Sequence, residues 1–241
     1  MNDGAVTYQS YLHIPELLAL QDPPRAHDEL LFIVAHQSHE LWFKLVLHEL
    51  TAVRDRMLAD DCRHAMHPIK RAITILHVLT AQWDVLDTMR PAGYLEFRHE
   101  LGTGSGFQSV QFREIEFLCG RKDPSYLDND WLSAAERDDL TRRLTEPSLA
   151  EAMRTLFAAR GVRDVPALLA EQTAQPDLSD LCDALVDLEV AFGMWRARHV
   201  LMVERQIGHK PGTGGSSGTE YLRSTTTIRF FPELWEARTE L

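Results

Sequence analysis

The sequence of 241 residues predicts an all-α fold, a helical bundle built from a single domain. Apolar side chains recur at intervals of three and four residues over several long segments, and this spacing places them on one face of a helix. Segments in which polar and apolar residues alternate, as in a half-buried strand, are scarce. Because the chain also shows no internal repeat and no long linker, we expect residues 1–241 to share one core.

Two long helices are predicted in the N-terminal half. The first runs from Asp28, the expected N-cap, to Leu58, and it is apolar around most of its circumference. The second begins at Pro68, which suits a first helical turn, and ends near Met89. The first helix is therefore expected at the centre of the bundle.

Shorter helices are predicted next. Residues 92–101 form one that stops at Gly102, and residues 107–118 form another that ends at Gly120. The stretch 121–178 is more polar and less regular, so we expect it to be a peripheral helical excursion.

Local signals define helices inside that excursion and in the tail. Ser133 and Glu136 have the spacing of a capping box, and residues 148–160 have the pattern of one amphipathic helix. The tail, residues 219–241, is predicted to be helical.

A histidine lies on the apolar stripe of the last long helix, predicted from Ser179 to Gly208. A haem requires apolar walls and an imidazole for its iron, and this stripe offers both. From the stripe alone, a core histidine bonded to a backbone carbonyl is the simpler interpretation. The stripe consists of Leu181, Leu185, Leu188, Phe192, Trp195, His199 and Met202.

A second histidine lies between aromatic residues on the first long helix. Phe32, His36 and Phe43 share one face, and His39 is near enough to share a metal with His36. The zinc-protease pattern H-E-x-x-H is absent, which argues against a hydrolytic zinc site. Packed core histidines remain the alternative.

Tyr94 and Arg98 are four residues apart, just before a glycine-rich turn. A guanidinium beside a phenol can hold a carboxylate, because the planar fork matches its two oxygens. Ser105 and Gly106 could add donors from the turn. A surface cation–π or ion pair is the alternative.

The loop GTGGSSG, residues 212–218, lacks the order of a phosphate-binding loop because Lys210 precedes the glycines. Its composition suits a lid, here residues 209–218, with the Thr213 hydroxyl closing over a ligand. A flexible linker is the alternative.

Composition excludes several partner classes. The net charge of −11 argues against nucleic acid and anionic membranes. The three cysteines are far apart, as expected in a reducing compartment. We see no signal peptide in residues 1–10 and no apolar run of membrane-spanning length, so we expect a cytoplasmic protein without a membrane partner.

Five segments together resemble the tryptophan 2,3-dioxygenase family and occur in that family's order. They are YQSYLHIPELLALQ at 8–21, HDELLFIVAHQSHELWFKLVLHEL at 27–50, YLEFRHELGTGSGFQS at 94–109, LVDLEVAFGMWRARHV at 185–200 and GTGGSSG at 212–218.

The resemblance implies a homotetramer, a dimer of dimers, with one haem b per subunit that is active as Fe(II). The implied reaction inserts O₂ across the indole C2=C3 bond of L-tryptophan to give N-formyl-L-kynurenine.

The resemblance also assigns residues. His199 matches the proximal iron ligand, and His36 matches the catalytic distal histidine that bonds the indole N–H. The other matches are Phe32 (indole wall), Tyr94 and Arg98 (carboxylate), Ser105 and Gly106 (distal pocket), Trp83 and Ser105 (beside the haem), Thr213 (lid), and Tyr8, Tyr11 and Leu12 (pocket of a neighbouring subunit, within an N-terminal segment 1–22).

Three alternatives remain open at this point. One is a relative that mono-oxygenates a tryptophan derivative or another aromatic amino acid in secondary metabolism. The others are a haem sensor without turnover, against which the Tyr94–Arg98 pair argues, and a helical protein without cofactor.

Overall fold

The computed structural model describes residues 6–22, 24–171 and 173–241, and within them every regular element is a helix. This confirms the all-α prediction for the described residues. The α-helices are α1 (Tyr8–Leu12), α2 (Ile14–Leu18), α3 (Glu29–Leu58), α4 (Cys62–Leu86), α5 (Pro91–Phe97), α6 (Val110–Cys119), α7 (Ala134–Thr145), α8 (Leu149–Ala159), α9 (Val165–Ala170), α10 (Pro176–Ile207), α11 (Thr219–Thr225) and α12 (Pro232–Thr239).

Three long helices form the centre of the bundle. Helix α4 packs against α3 on one side and against α10 on the other, while α6 and α8 cover α3. The facing side chains, among them Leu50, Ile69, Leu76 and Leu188, are fully buried. Burial of this apolar area is the main favourable contribution to folding.

Helix α4 begins six residues before the predicted start. Its N-cap is Asp61, whose carboxylate accepts the backbone N–H of His64, and Pro68 lies inside the helix. The prediction that the helix starts at Pro68 is wrong, because the aspartate cap determines the start. The proline only deprives the His64 carbonyl of one helical bond.

Two other predicted helices are interrupted. Residues 98–101 form a 3₁₀ turn after α5, and residues 106–108 form another before α6. The tail is two helices, α11 and α12, rather than one. The predicted capping box of Ser133 and Glu136 is present. The helix predicted over 148–160 is α8, and it begins with a second capping box, formed by Ser148 and Glu151.

Helix α8, which belongs to the stretch 121–178, packs into the main core. Its apolar face, including Met153 and Leu156, is buried against α3.

A buried carboxylate on α10 holds the segment between α11 and α12. Glu189 accepts the backbone N–H groups of Phe230 (2.7 Å) and Phe231 (3.3 Å) and the indole N–H of Trp235 (2.9 Å). It thereby satisfies donors that would otherwise be buried without partners, and both phenylalanine rings reach the core.

None of the described helices is both long enough and apolar enough to cross a membrane.

Glu189→Gln should lower the free energy of unfolding by about 1–3 kcal/mol, because the new amide NH₂ faces donors in place of an acceptor oxygen. Urea unfolding followed by circular dichroism measures this. Glu236→Gln, which changes an exposed carboxylate on α12, is the matched control and should stay within about 0.5 kcal/mol of the parent. Equal stability of the two variants would contradict the capping role of Glu189.

Candidate functional site

A cavity of about 220 Å³ opens between α3, α4 and α10 and is capped by the loops after α5 and α10. Its walls are mainly aromatic and aliphatic. The structure brings nine of the predicted site residues to this cavity: Phe32, His36, Trp83, Tyr94, Arg98, Ser105, Gly106, His199 and Thr213.

His199 presents an imidazole to the cavity. Within residues 6–22, 24–171 and 173–241, neither of its ring nitrogens has a hydrogen-bond partner, so it is not a core histidine bonded to a carbonyl. Trp83 lies parallel to the ring, with centroids 4.5 Å apart and an interplanar angle of 4°. Burial lowers the pKa of His199 to about 3, so the ring is neutral and keeps a free lone pair.

His36 faces the same cavity from α3. Its Nδ1–H donates to the Phe32 carbonyl at 2.7 Å, which leaves Nε2 as an acceptor. The Phe32 ring lies 4.0 Å from the imidazole, centroid to centroid. Burial lowers the pKa of His36, so this acceptor is neutral.

His39 lies one turn deeper on α3. Its Nδ1 donates to the Ala35 carbonyl at 2.8 Å, and the residue is only 6% exposed. No group of three His, Cys, Asp or Glu side chains among the described residues could hold a metal ion. A metal shared by His36 and His39 as part of such a group is therefore not supported.

The mouth of the cavity carries Arg98 and Tyr94. The Nη2 group of Arg98 donates to the Pro211 carbonyl at 2.7 Å, whereas its Nε is buried without a partner in the described part of the chain. The Pro211 carbonyl thus holds the guanidinium through Nη2, while the Nε–H group remains available to a ligand. Tyr94 packs 6.1 Å from Phe32, so the phenol and the guanidinium border the same opening.

The loop 209–218 lies on the turn 102–106. The Thr213 hydroxyl donates to the Gly104 carbonyl. A Cβ on Gly214 would be 2.6 Å from the Cβ of Ser105, so only glycine permits this approach. Gly208, which ends α10 with a φ of 60°, directly precedes the loop.

Sequence reasoning missed a buried ionic cluster that also lines the cavity. Glu116, 1% exposed, binds Arg113 (2.5 Å), Arg121 (2.9 Å) and Arg196 (3.0 Å). The Nε atoms of Arg113 and Arg196 are buried and have no partner among the described residues. Three cations face one anion, so the cluster has positive charge available for a ligand.

One sequence signal could have found part of this cluster. Arg196 lies three residues before His199, on the same side of α10 as the apolar stripe. A charged residue at that position requires a buried partner.

Three predicted residues are not at this cavity. Tyr8 and Tyr11 are each 74% exposed, Leu12 is also exposed, and α1 and α2 bury no side chain in this chain. Residues 1–5 of the predicted N-terminal segment lie outside the described residues.

The family model for tryptophan 2,3-dioxygenase matches residues 1–166 and 158–241. The chain belongs to the tryptophan 2,3-dioxygenase family. The resemblance found in the sequence is therefore confirmed.

Curated relatives agree over nearly the whole chain. A protein of Nocardioides sp., named tryptophan 2,3-dioxygenase, is 47% identical over 98% of this chain and 95% of its own length. Proteins of the same name from Herpetosiphon aurantiacus and Kineococcus radiotolerans are 45% and 43% identical, again over 98% of this chain. They are covered over 99% and 91% of their own lengths.

The buried neutral imidazole of His39 should make stability depend on pH. Burial lowers its pKa from 6.5 to about 4, so the unfolded chain binds the extra proton between these values, and stability falls as the pH drops through this range. His39→Gln should reduce the slope by up to about 1.4 kcal/mol per pH unit. Chemical unfolding at a series of pH values measures it. An unchanged slope would contradict a buried neutral His39.

Proposed function

We propose that this protein is a haem-dependent dioxygenase that opens the indole ring of L-tryptophan to give N-formyl-L-kynurenine. One observation carries the proposal beyond family membership. An imidazole without a partner in the described chain, His199, faces an apolar cavity that also holds a neutral acceptor, His36, and a guanidinium, Arg98.

The cavity residues suit a haem. His199 offers a neutral nitrogen for the iron. Trp83 and Trp195, whose rings lie 4.5 Å and 5.5 Å from the His199 ring, give flat apolar walls. The spare charge of Arg113 and Arg196 suits the propionate carboxylates. We infer that these five residues hold haem b. When bound, it supplies the iron at which O₂ is activated.

The substrate's two ends have different partners. Arg98 and Tyr94 bind the α-carboxylate at the mouth, where the unpartnered Nε of Arg98 supplies a charged donor. Phe32 forms a wall of the indole pocket. His36, held as the Nδ1–H tautomer by the Phe32 carbonyl, accepts the indole N–H through Nε2.

These contacts fix the indole in one orientation, which is the protein's contribution to the reaction. Ser105 and Gly106 border the pocket beside it. Both atoms of O₂ enter the product, so no external reductant is consumed.

The loop 209–218 acts as the lid of this site. Two contacts with the turn 102–106 support that role: the close approach of Gly214 to Ser105 and the hydrogen bond from Thr213 to Gly104. The lid excludes water from the reacting groups and brings Thr213 towards the amino-acid end of the substrate.

We further propose a homotetramer, a dimer of dimers, in which residues 1–22 complete the pocket of a neighbouring copy. The apolar side chains that this segment exposes in a single chain support the proposal, since a neighbouring copy could bury them: Val6, Tyr8, Tyr11, Leu12, Leu18 and Leu20. Residues 1–241 form one domain, and the stretch 121–178, expected at its periphery, contributes α8 to the shared core. The three buried, unpaired cysteines support a cytoplasmic location.

The decisive experiment supplies ferrous, haem-loaded protein with L-tryptophan and ¹⁸O₂. Mass spectrometry of the product should show two labelled oxygen atoms in N-formyl-L-kynurenine. A single labelled atom would indicate a mono-oxygenase and overturn the proposal.

His199→Ala is the matched variant for this experiment. It should lose haem absorbance and turnover together, because the variant removes the nitrogen that α10 presents to the iron. Full haem occupancy in this variant would contradict the assignment of His199 as iron ligand.

Arg98→Ala should raise KM for L-tryptophan by about 10-fold to 100-fold, since one charged hydrogen bond contributes about 1.5–3 kcal/mol. Steady-state kinetics measure this. Indole-3-propionate, which keeps the carboxylate, should lose affinity in parallel, whereas tryptamine, which lacks it, should not respond. Unchanged KM would exclude Arg98 as the carboxylate partner.

Gly214→Ala should hold the lid away from Ser105, because the new methyl group meets the Ser105 side chain. We expect faster proteolysis of the loop and a higher KM at unchanged thermal stability. Gly215→Ala is less suitable because of its positive φ, so Ser217→Ala serves as the control in the same loop. Parent-like proteolysis of Gly214→Ala would contradict the seated lid.

A further inference from the structure

Three buried polar atoms of residues that line the cavity lack partners among the described residues. They are Nε2 of His39, Nε1 of Trp83 and Nε1 of Trp195. All three side chains line the same cavity, and each residue is at most 6% exposed. Their ring centroids form a small triangle: His39 to Trp83 4.6 Å, Trp83 to Trp195 5.4 Å, and His39 to Trp195 6.2 Å.

The three atoms have complementary hydrogen-bonding roles. An indole nitrogen can only donate, so Trp83 and Trp195 supply two donors. His39 donates through Nδ1 to the Ala35 carbonyl, which leaves Nε2 as an acceptor. The set is therefore two donors and one acceptor within one chamber.

These groups do not satisfy one another: two indole N–H groups both donate, and Nε2 of His39 and Nε1 of Trp195 are each without a partner in the described chain. The remaining pair, His39 and Trp83, is excluded by distance. A linear N–H···N bond lies in the planes of both rings, and its length of about 2.9 Å plus the two ring radii exceeds 4.6 Å. The His39 and Trp83 rings, 4.6 Å apart, are therefore too close for it. Leaving the three groups unpaired would cost about 1–3 kcal/mol for each.

We propose that one internal water molecule binds at this point, accepts the N–H groups of Trp83 and Trp195, and donates to Nε2 of His39. Water is the smallest ligand with two acceptor sites and a donor, and a buried water typically makes about three hydrogen bonds.

The water site would position Trp83, the residue whose ring lies beside His199. A hydrogen-bonded indole of Trp83 is fixed about its side-chain torsions, and the same indole lies parallel to the His199 ring. The wall formed by these three residues is therefore polar at one point. A ligand atom that displaced the water without replacing its hydrogen bonds would bind more weakly.

A high-resolution crystal structure of the protein as purified tests the proposal, whether or not haem is present. We expect one isolated density peak within hydrogen-bonding distance, about 2.7–3.2 Å, of all three nitrogens. His39→Leu, which removes the acceptor, should lose the peak. His39→Gln, which can place an amide oxygen near the position of Nε2, should retain it. Absence of the peak in the parent would overturn the proposal.

A solution measurement keeps the test independent of the variants' folding. The chain has five tryptophans, so the ¹⁵N-indole spectrum of the parent contains five side-chain N–H signals. Two of them, assigned with Trp83→Phe and Trp195→Phe, should show cross-relaxation with a long-lived water. No cross-relaxation at either signal would overturn the proposal. Neither readout uses turnover, so failure of the water site is distinguishable from failure of the dioxygenase assignment.

Discussion

The carboxylate of Glu116 is the interaction on which the site depends. It is buried, and it binds guanidinium groups from α6, from the segment after α6 and from α10. Removing one partner of such a cluster leaves an uncompensated buried charge, which costs about 3–5 kcal/mol. Because Arg196 is one turn before His199, the cluster joins the charged side of the cavity to the helix that presents the imidazole. The excess of cations also prepares this wall for an anionic group.

The central architecture and much of the site could be predicted from sequence because they depend on local periodicity. The stripe on α10 placed Trp195 and His199 together, and the spacing on α3 placed Phe32 with His36. Arg113 and Glu116 could not be found in this way. Their burial depends on a partner 80 residues away in α10, and no local pattern encodes that pairing.

Helix ends were harder to predict than helix faces. Pro68 suggested a start, but the Asp61 cap lies seven residues earlier and a proline is tolerated inside α4. The break between α11 and α12 depends on Glu189, which is distant in sequence and satisfies the freed N–H groups of Phe230 and Phe231. A local side-chain cap therefore determines the first difference from expectation, and a long-range polar contact determines the second.

The attachment of Phe230 to Glu189 has a mechanical consequence. The chain leaves α10 after Ile207 and returns to the same helix at Glu189, about 27 Å back along its axis at 1.5 Å per residue. The residues between these two points form a segment that is attached at both ends to the same helix, α10. Helix α11 in the middle of this segment also packs on α10. The proposed lid is therefore a closed loop on one helix, and the length of the loop limits how far the lid could move.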